Sequence, residues 1–187
     1  MPNNIEIKAK VNDVFALENL IRNMTKAKPI FLSQEDIFFN VPHGRLKLRI
    51  FSPDKGELIF YDRPNIAGPK QSAYVKSATN DPQWLKDVLL KALGMKGIVR
   101  KIRKLYLHNQ TRIHIDDVEG LGHFVELEVM LQDNQATEDG IAIAENLMLQ
   151  LHIEKQDLID VAYIDLMESL ILQPDNNNQG ETESGAQ

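Results

Sequence analysis

Arg-Ile-His-Ile-Asp-Asp-Val-Glu-Gly-Leu-Gly-His-Phe-Val-Glu-Leu-Glu (112–128) holds two alternating stretches around a glycine-rich turn, Gly120-Leu121-Gly122. Successive side chains of a strand point to opposite faces. Arg112, His114 and Asp116 therefore share one face before the turn, and Glu126 and Glu128 share one after it. Val125, Leu127, Val129 and Leu131 oppose those two acids. The pattern predicts antiparallel strands over Thr111–Val118 and His123–Leu131, each with an apolar and an ionic face. Glu126 and Glu128 stand roughly 7 Å apart on one side, a spacing that suits two hard oxygen ligands flanking a divalent cation.

The same division recurs upstream. In Ile5–Val11, Glu6, Lys8 and Lys10 oppose Ile5, Ile7, Ala9 and Val11. In Arg45–Phe51, Arg45, Lys47 and Arg49 oppose Leu46, Leu48 and Ile50. Gly97–Leu107 puts Lys101 and Arg103 on one face, while Asp36–Asn40, Glu57–Arg63 and Gln71–Ser77 complete eight predicted strands, with Arg63 and Lys76 closing the last two. Helices are predicted from Asp13 to Ala27, from Pro82 after its cap Asp81 to Gly94, from Thr137 as cap through Leu151, and from Lys155 to about Leu172. Leu158, Ala162 and Leu166 are spaced to pack inward in the last, and Trp84 is expected to pack in the second. The fold class is α+β with an antiparallel sheet.

The chain has 187 residues, a net charge of −6, 43% hydrophobic and 26% charged residues, and no cysteine. That length suits one domain. The acidic balance argues against nucleic acid as a partner. Absence of cysteine excludes thiolate metal sites and disulfides and fits a cytoplasmic location. With no long apolar run, a membrane span is not expected. Residues 174–187 lack large apolar side chains and read as a disordered tail, leaving 1–173 as the domain.

An antiparallel sheet with one face in solvent would explain the alternation. The ionic faces, however, carry almost no Thr, Ser or Gln, and acids and bases segregate by strand. Closing the eight strands into a β-barrel places those faces in a charged lumen and the apolar faces outward under the helices. Eight strands enclose one small ligand. Buried cations need compensation, and triphosphate is the obvious dense anion.

Val-Arg-Lys-Ile-Arg-Lys-Leu-Tyr (99–106) together with residues 112–128 resembles the CYTH superfamily, the triphosphate tunnel metalloenzymes, nearest to the class IV adenylyl cyclase-like branch. That superfamily also includes thiamine triphosphatases, inorganic tripolyphosphatases and fungal RNA triphosphatases. The resemblance implies a closed eight-stranded tunnel and Mg²⁺ or Mn²⁺ held by Glu6, Glu126 and Glu128. It implies phosphate binding by Lys8, Arg49, Arg63, Lys101 and Arg103, with Lys76 and Arg112 facing the same way by parity. Glu6, Lys8 and Asp116 are the implied catalytic group. The family's opening Glu-x-Glu-x-Lys falls on Asn4, Glu6 and Lys8, so an amide replaces the first acid.

The expected function is metal-dependent hydrolysis of a small-molecule triphosphate (tripolyphosphate, thiamine triphosphate or a nucleoside triphosphate), by a monomer or homodimer. Two alternatives stand beside it: cyclisation of ATP to cyclic AMP and pyrophosphate, and a silent triphosphate-binding module. A plain interaction domain leaves the segregated charges unexplained. Gln at position 126 or 128 is expected to remove turnover with little loss of folding.

Overall fold

A computed structural model describes residues 3–62 and 64–172. Its elements run β1 (Asn3–Lys10), α1 (Val14–Thr25), β2 (Ile30–Phe39), β3 (Arg45–Ser52), β4 (Lys55–Asp62), β5 (Lys70–Thr79), α2 (Pro82–Leu93), β6 (Met95–His108), β7 (Thr111–Val118), β8 (Gly122–Met130), α3 (Thr137–Gln150) and α4 (Tyr163–Ile171). The eight strands close into an antiparallel barrel in the order β1-β5-β4-β3-β2-β6-β7-β8. Closure leaves no sheet edge, so every strand's inner face meets the others across a common lumen. The 174–187 tail and Arg63 lie outside the described residues.

Alternation assigns the outer faces to the helices. Ile5, Ile7, Ile113, Val125, Leu127 and Val129 are buried beneath α1 and α3, where Leu17, Ile21, Ala144 and Leu147 meet them. Each such burial contributes roughly 1.5–3 kcal/mol. A second core sets Leu85, Leu89 and Leu93 of α2 on Ile37, Phe39 and Leu48. Asp13 and Asp81 cap α1 and α2, accepting from Ala16 N at 2.9 Å and Trp84 N at 3.2 Å. Gly120 and Gly122, with φ of 77° and 93°, turn β7 into β8 through a region that only glycine enters freely.

Four sequence expectations fail locally. β2 begins at Ile30 rather than Asp36, because Ile30 and Phe31 are exposed on an uncovered stretch and so show no amphipathic alternation. Thr137 is the first residue of α3 and Ala136 its cap, without a side-chain bond. The single helix expected from Lys155 is broken: a 3-10 turn spans Lys155–Asp157, Leu158 bridges to Ala9, and Ile159 N donates to Lys8 O at 2.8 Å. That extended segment, tied to β1, imitates helical spacing in the sequence. Trp84 is 71% exposed, leaving the packing of α2 to its leucines.

The break places α4 functionally. Ala162, Tyr163 and Ile164 form a third core with Phe38, Val99, Val118 and Phe124, the inward-facing residues of β2, β6, β7 and β8. This end of the lumen is filled by the start of α4, so that helix does not lie wholly outside the barrel.

Candidate functional site

The lumen is a cavity of about 580 Å³, a size that suits one small ligand. Among the described residues, eight Lys and Arg side chains and five carboxylates line it. Exposure rises away from α4, reaching 37% at the Arg112 side chain and 51% at Lys76, which pairs with Glu57 at 3.1 Å.

On the β3-β2-β6 side, Asp36 is buried at 1% exposure and gathers three cations. Arg49 donates through Nε and Nη2 at 2.7 Å each, Lys47 at 2.9 Å and Lys101 at 3.0 Å. Burial alone would raise the Asp36 carboxyl; Arg49, Lys101 and Lys47 outweigh it and hold it well below its ordinary value. Burial, reinforced by neighbouring Arg49, lowers the Lys47 ammonium to about 7.

The Lys47 shift has a stability consequence. An unfolded lysine keeps its proton to about pH 10.4. Between about pH 7 and pH 10 the unfolded chain therefore binds more protons than the native one, and stability rises with pH. Lys101, also lowered chiefly by burial, adds the same sign. Denaturant unfolding is expected to show a slope from Lys47 of up to about 1.4 kcal/mol per pH unit, which Lys47→Met flattens. Equal slopes in the two proteins would remove this assignment.

On the β6-β7-β8-β1 side, Arg103 forks onto Asp116 at 2.6 and 2.5 Å and also reaches Glu126. Lys8 bonds Glu126 at 3.0 Å and lies 3.7 Å over the Tyr163 ring. The Tyr163 hydroxyl donates to Asp116 at 2.9 Å. Burial would raise the Glu126 carboxyl, but Lys8 and Arg103 bring it well below its usual range. Asp116 has no exposure and sits behind Arg103, so it orients that guanidinium without lining the cavity. His114 is buried, with Nδ1 3.7 Å from Glu126 and no hydrogen-bond partner among the described residues. Burial and Arg103 lower its pKa, leaving it neutral at pH 7.

Nearer the exposed end, Glu6 and Glu128 oppose each other in the β1–β8 ladder. Asn4 Nδ2 donates to Glu128 at 2.5 Å, and Arg112 reaches its other oxygen at 3.4 Å. The carboxylate fixes the amide's orientation, since Oδ1 would be repelled there. Asn4 Oδ1 is thereby left buried without a partner among the described residues.

No three His, Asp or Glu side chains of the described residues already stand in ligating arrangement. Glu126 is turned onto Lys8 and Arg103 instead. The donor chemistry nonetheless suits a hard divalent cation: opposed carboxylates Glu6 and Glu128 repel without one, and the orphaned Asn4 oxygen adds a third hard donor.

A family model for the CYTH domain matches residues 2–163. The chain belongs to the CYTH domain family. A Methanocaldococcus jannaschii protein named as a candidate adenylate cyclase is 29% identical over 173 residues, covering 87% of this chain and 97% of that one. The PH1012 protein of Pyrococcus horikoshii shares the fold with a TM-score of 0.77 at 23% identity, covering 87% of this chain and 98% of that one. A structure named as a candidate adenylate cyclase from Vibrio parahaemolyticus gives 0.75 at 19% identity, covering 88% and 97%.

Within this CYTH barrel, Glu6, Lys8, Arg49, Lys76, Lys101, Arg103, Arg112, Glu126 and Glu128 all line one cavity. Three participants were not singled out from sequence. Asp36 stands at the edge of its predicted strand, Lys47 shares a face with Arg49, and Tyr163 belongs to the segment predicted as an outer helix. The Lys47–Arg49 parity was the one available signal. The deep cations are also compensated internally, by Asp36 and Glu126, without the anion that burial was expected to demand. No helix of the described residues is long and apolar enough to cross a membrane.

Proposed function

We propose that the cavity binds the triphosphate of a small molecule and cleaves one of its phosphoanhydride bonds, with Mg²⁺ or Mn²⁺ as cofactor. The supporting observation is the division of charge across the lumen. Among the described residues, Lys47, Arg49 and Lys101 share the single carboxylate Asp36 on one side, whereas Glu6, Glu126 and Glu128 match Lys8, Arg103 and Arg112 one for one on the other, with Asp116 buried behind Arg103. The first side would receive an anionic chain, and the carboxylates of the second would hold a divalent ion.

Glu6 and Glu128 would hold the ion, with Asn4 Oδ1 and, once turned from its cations, Glu126. When bound, it supplies Lewis acidity toward a phosphate oxygen. Arg49 and Lys101 bind phosphate oxygens, Arg as a planar fork and Lys as a point charge. Asp116 and Tyr163 keep the Arg103 fork aimed, so that little reorganisation accompanies reaction. Lys8, held over Tyr163 beside Glu126, neutralises charge at the deep end. No nucleophilic side chain is required, because positioning and charge stabilisation supply most of the catalysis in phosphoryl transfer.

Hydrolysis of the triphosphate is the main reading. Cyclisation of a nucleoside triphosphate is the second, favoured by Leu32, Phe51 and Leu105. These apolar side chains line the cavity yet belong to none of the three cores, and so offer a face to an organic group. The name of the Methanocaldococcus jannaschii relative points the same way. The deciding experiment incubates the protein with ATP, thiamine triphosphate and tripolyphosphate under each ion and scores orthophosphate, pyrophosphate and cyclic AMP separately. Orthophosphate supports hydrolysis, and cyclic AMP with pyrophosphate supports cyclisation. Absence of any product refutes catalysis.

A further inference from the structure

The buried Asp36 carboxylate occupies the place where the proposed chemistry needs free cations. It lies on β2, between the strands that carry Lys47 and Arg49 on one side and Lys101 on the other. All four residues line the cavity. Asp36 Oδ2 accepts from Arg49, Lys47 and Lys101 together, while Oδ1 accepts from Arg49 alone. A carboxylate oxygen offers about two lone-pair sites, so Oδ2 is over-subscribed and at least one of its donors is poorly satisfied.

We propose that Asp36 is a resident, displaceable counter-ion: it holds the deep cations in place in the empty tunnel and competes with phosphate for them. The inference rests on the triphosphate reading of this cavity. An incoming phosphoryl group takes over donors from Asp36 and is charged the loss of those bonds. Affinity at the deep site is thereby kept low, and the carboxylate reclaims its cations when the shorter product leaves. Because the carboxylate already satisfies the Arg49 fork bidentately, a weakly charged anion gains little by replacing it. A longer polyphosphate also reaches Arg103 and Arg112, and so gains more than the exchange forfeits.

Asp36→Asn keeps the shape and removes the competing charge. Calorimetry without divalent ions, using pyrophosphate and tripolyphosphate as probes, is expected to show about tenfold tighter binding of pyrophosphate to the variant. The variant is also expected to melt lower in plain buffer, with its stability restored by tripolyphosphate. A purely structural carboxylate would lower stability without raising any affinity. Unchanged or weaker pyrophosphate binding by the variant overturns the inference and leaves the triphosphate reading intact. Failure of tripolyphosphate to bind the wild-type protein, without Mg²⁺ and with it, overturns both.

If the variant does not fold even with tripolyphosphate, wild-type protein decides the matter through the Arg49 Nε–H resonance, identified by its loss in Arg49→Lys. Saturating tripolyphosphate is expected to shift it as the Asp36 bond is given up. A resonance that stays in place overturns the inference.

Discussion

Glu128→Gln is expected to lower divalent-dependent turnover by about 10³-fold while leaving the melting temperature nearly unchanged. Glu128 faces Glu6 across the β1–β8 ladder, so removing its charge relieves a repulsion in the metal-free protein. A glutamine oxygen still accepts the bond from Asn4 Nδ2. Arg112, the only cation in direct contact with Glu128 among the described residues, is partly exposed and finds water. Metal affinity suffers most, because a carboxylate becomes a neutral amide. Steady-state turnover with Mg²⁺ and Mn²⁺, measured beside a thermal melt, tests this, and turnover at the wild-type level would remove Glu128 from the metal site. Glu126→Gln behaves differently from the sequence-based expectation that both variants fold alike. Glu126 helps neutralise Lys8 and Arg103, so its loss weakens the compensation of two largely buried cations and lowers stability together with turnover.

Arg103→Ala carries the largest stability cost, about 3–5 kcal/mol, because breaking a buried ion pair leaves its partners charged without compensation. Those partners are Asp116, wholly buried, and Glu126, at 23% exposure. Without the guanidinium, the desolvation that Arg103 now offsets dominates at Asp116, and its folded-state carboxyl shifts upward. A group whose folded pKa lies above its unfolded value stabilises at low pH and loses that contribution as pH rises through the folded pKa. The variant is therefore expected to be more stable near pH 5 than near pH 7, below the range in which Lys47 acts, in urea unfolding at both. A variant as stable as the wild-type protein at pH 7 would show that Arg103 is not the counter-charge these acids depend on. Lys101→Ala should lose less, since Asp36 keeps Arg49 and Lys47.

The differences between these two arginine and lysine sites were invisible in the sequence. Parity said that Lys101 and Arg103 face the lumen, and they do. It could not say that Lys101 shares an acid with two other cations, while Arg103 shares itself between two acids. Nor could it show that Asp116 stands behind Arg103 instead of facing the cavity. Asn4 was legible as a departure from Glu-x-Glu-x-Lys, but its orphaned oxygen exists only because Glu128 captures its nitrogen from β8.

Alternation along each strand is local: the period of two fixes the face a side chain takes, whatever the neighbouring strands are. From it came the ionic set, the apolar set opposed to it and the eight-stranded count; that the ionic set turns inward rested on its composition and its segregation by strand. The helix caps at Asp13 and Asp81 are local in the same sense. What needed the folded chain is everything that depends on strand order. Asp36 meets Lys47, Arg49 and Lys101 because β2 lies between β3 and β6, far apart in sequence, and Tyr163 closes the lumen because Leu158 and Ile159 pair with β1. Coulomb interactions follow distance in space, so which charge is compensated, which pKa moves and which donor is left over are settled only when the barrel closes.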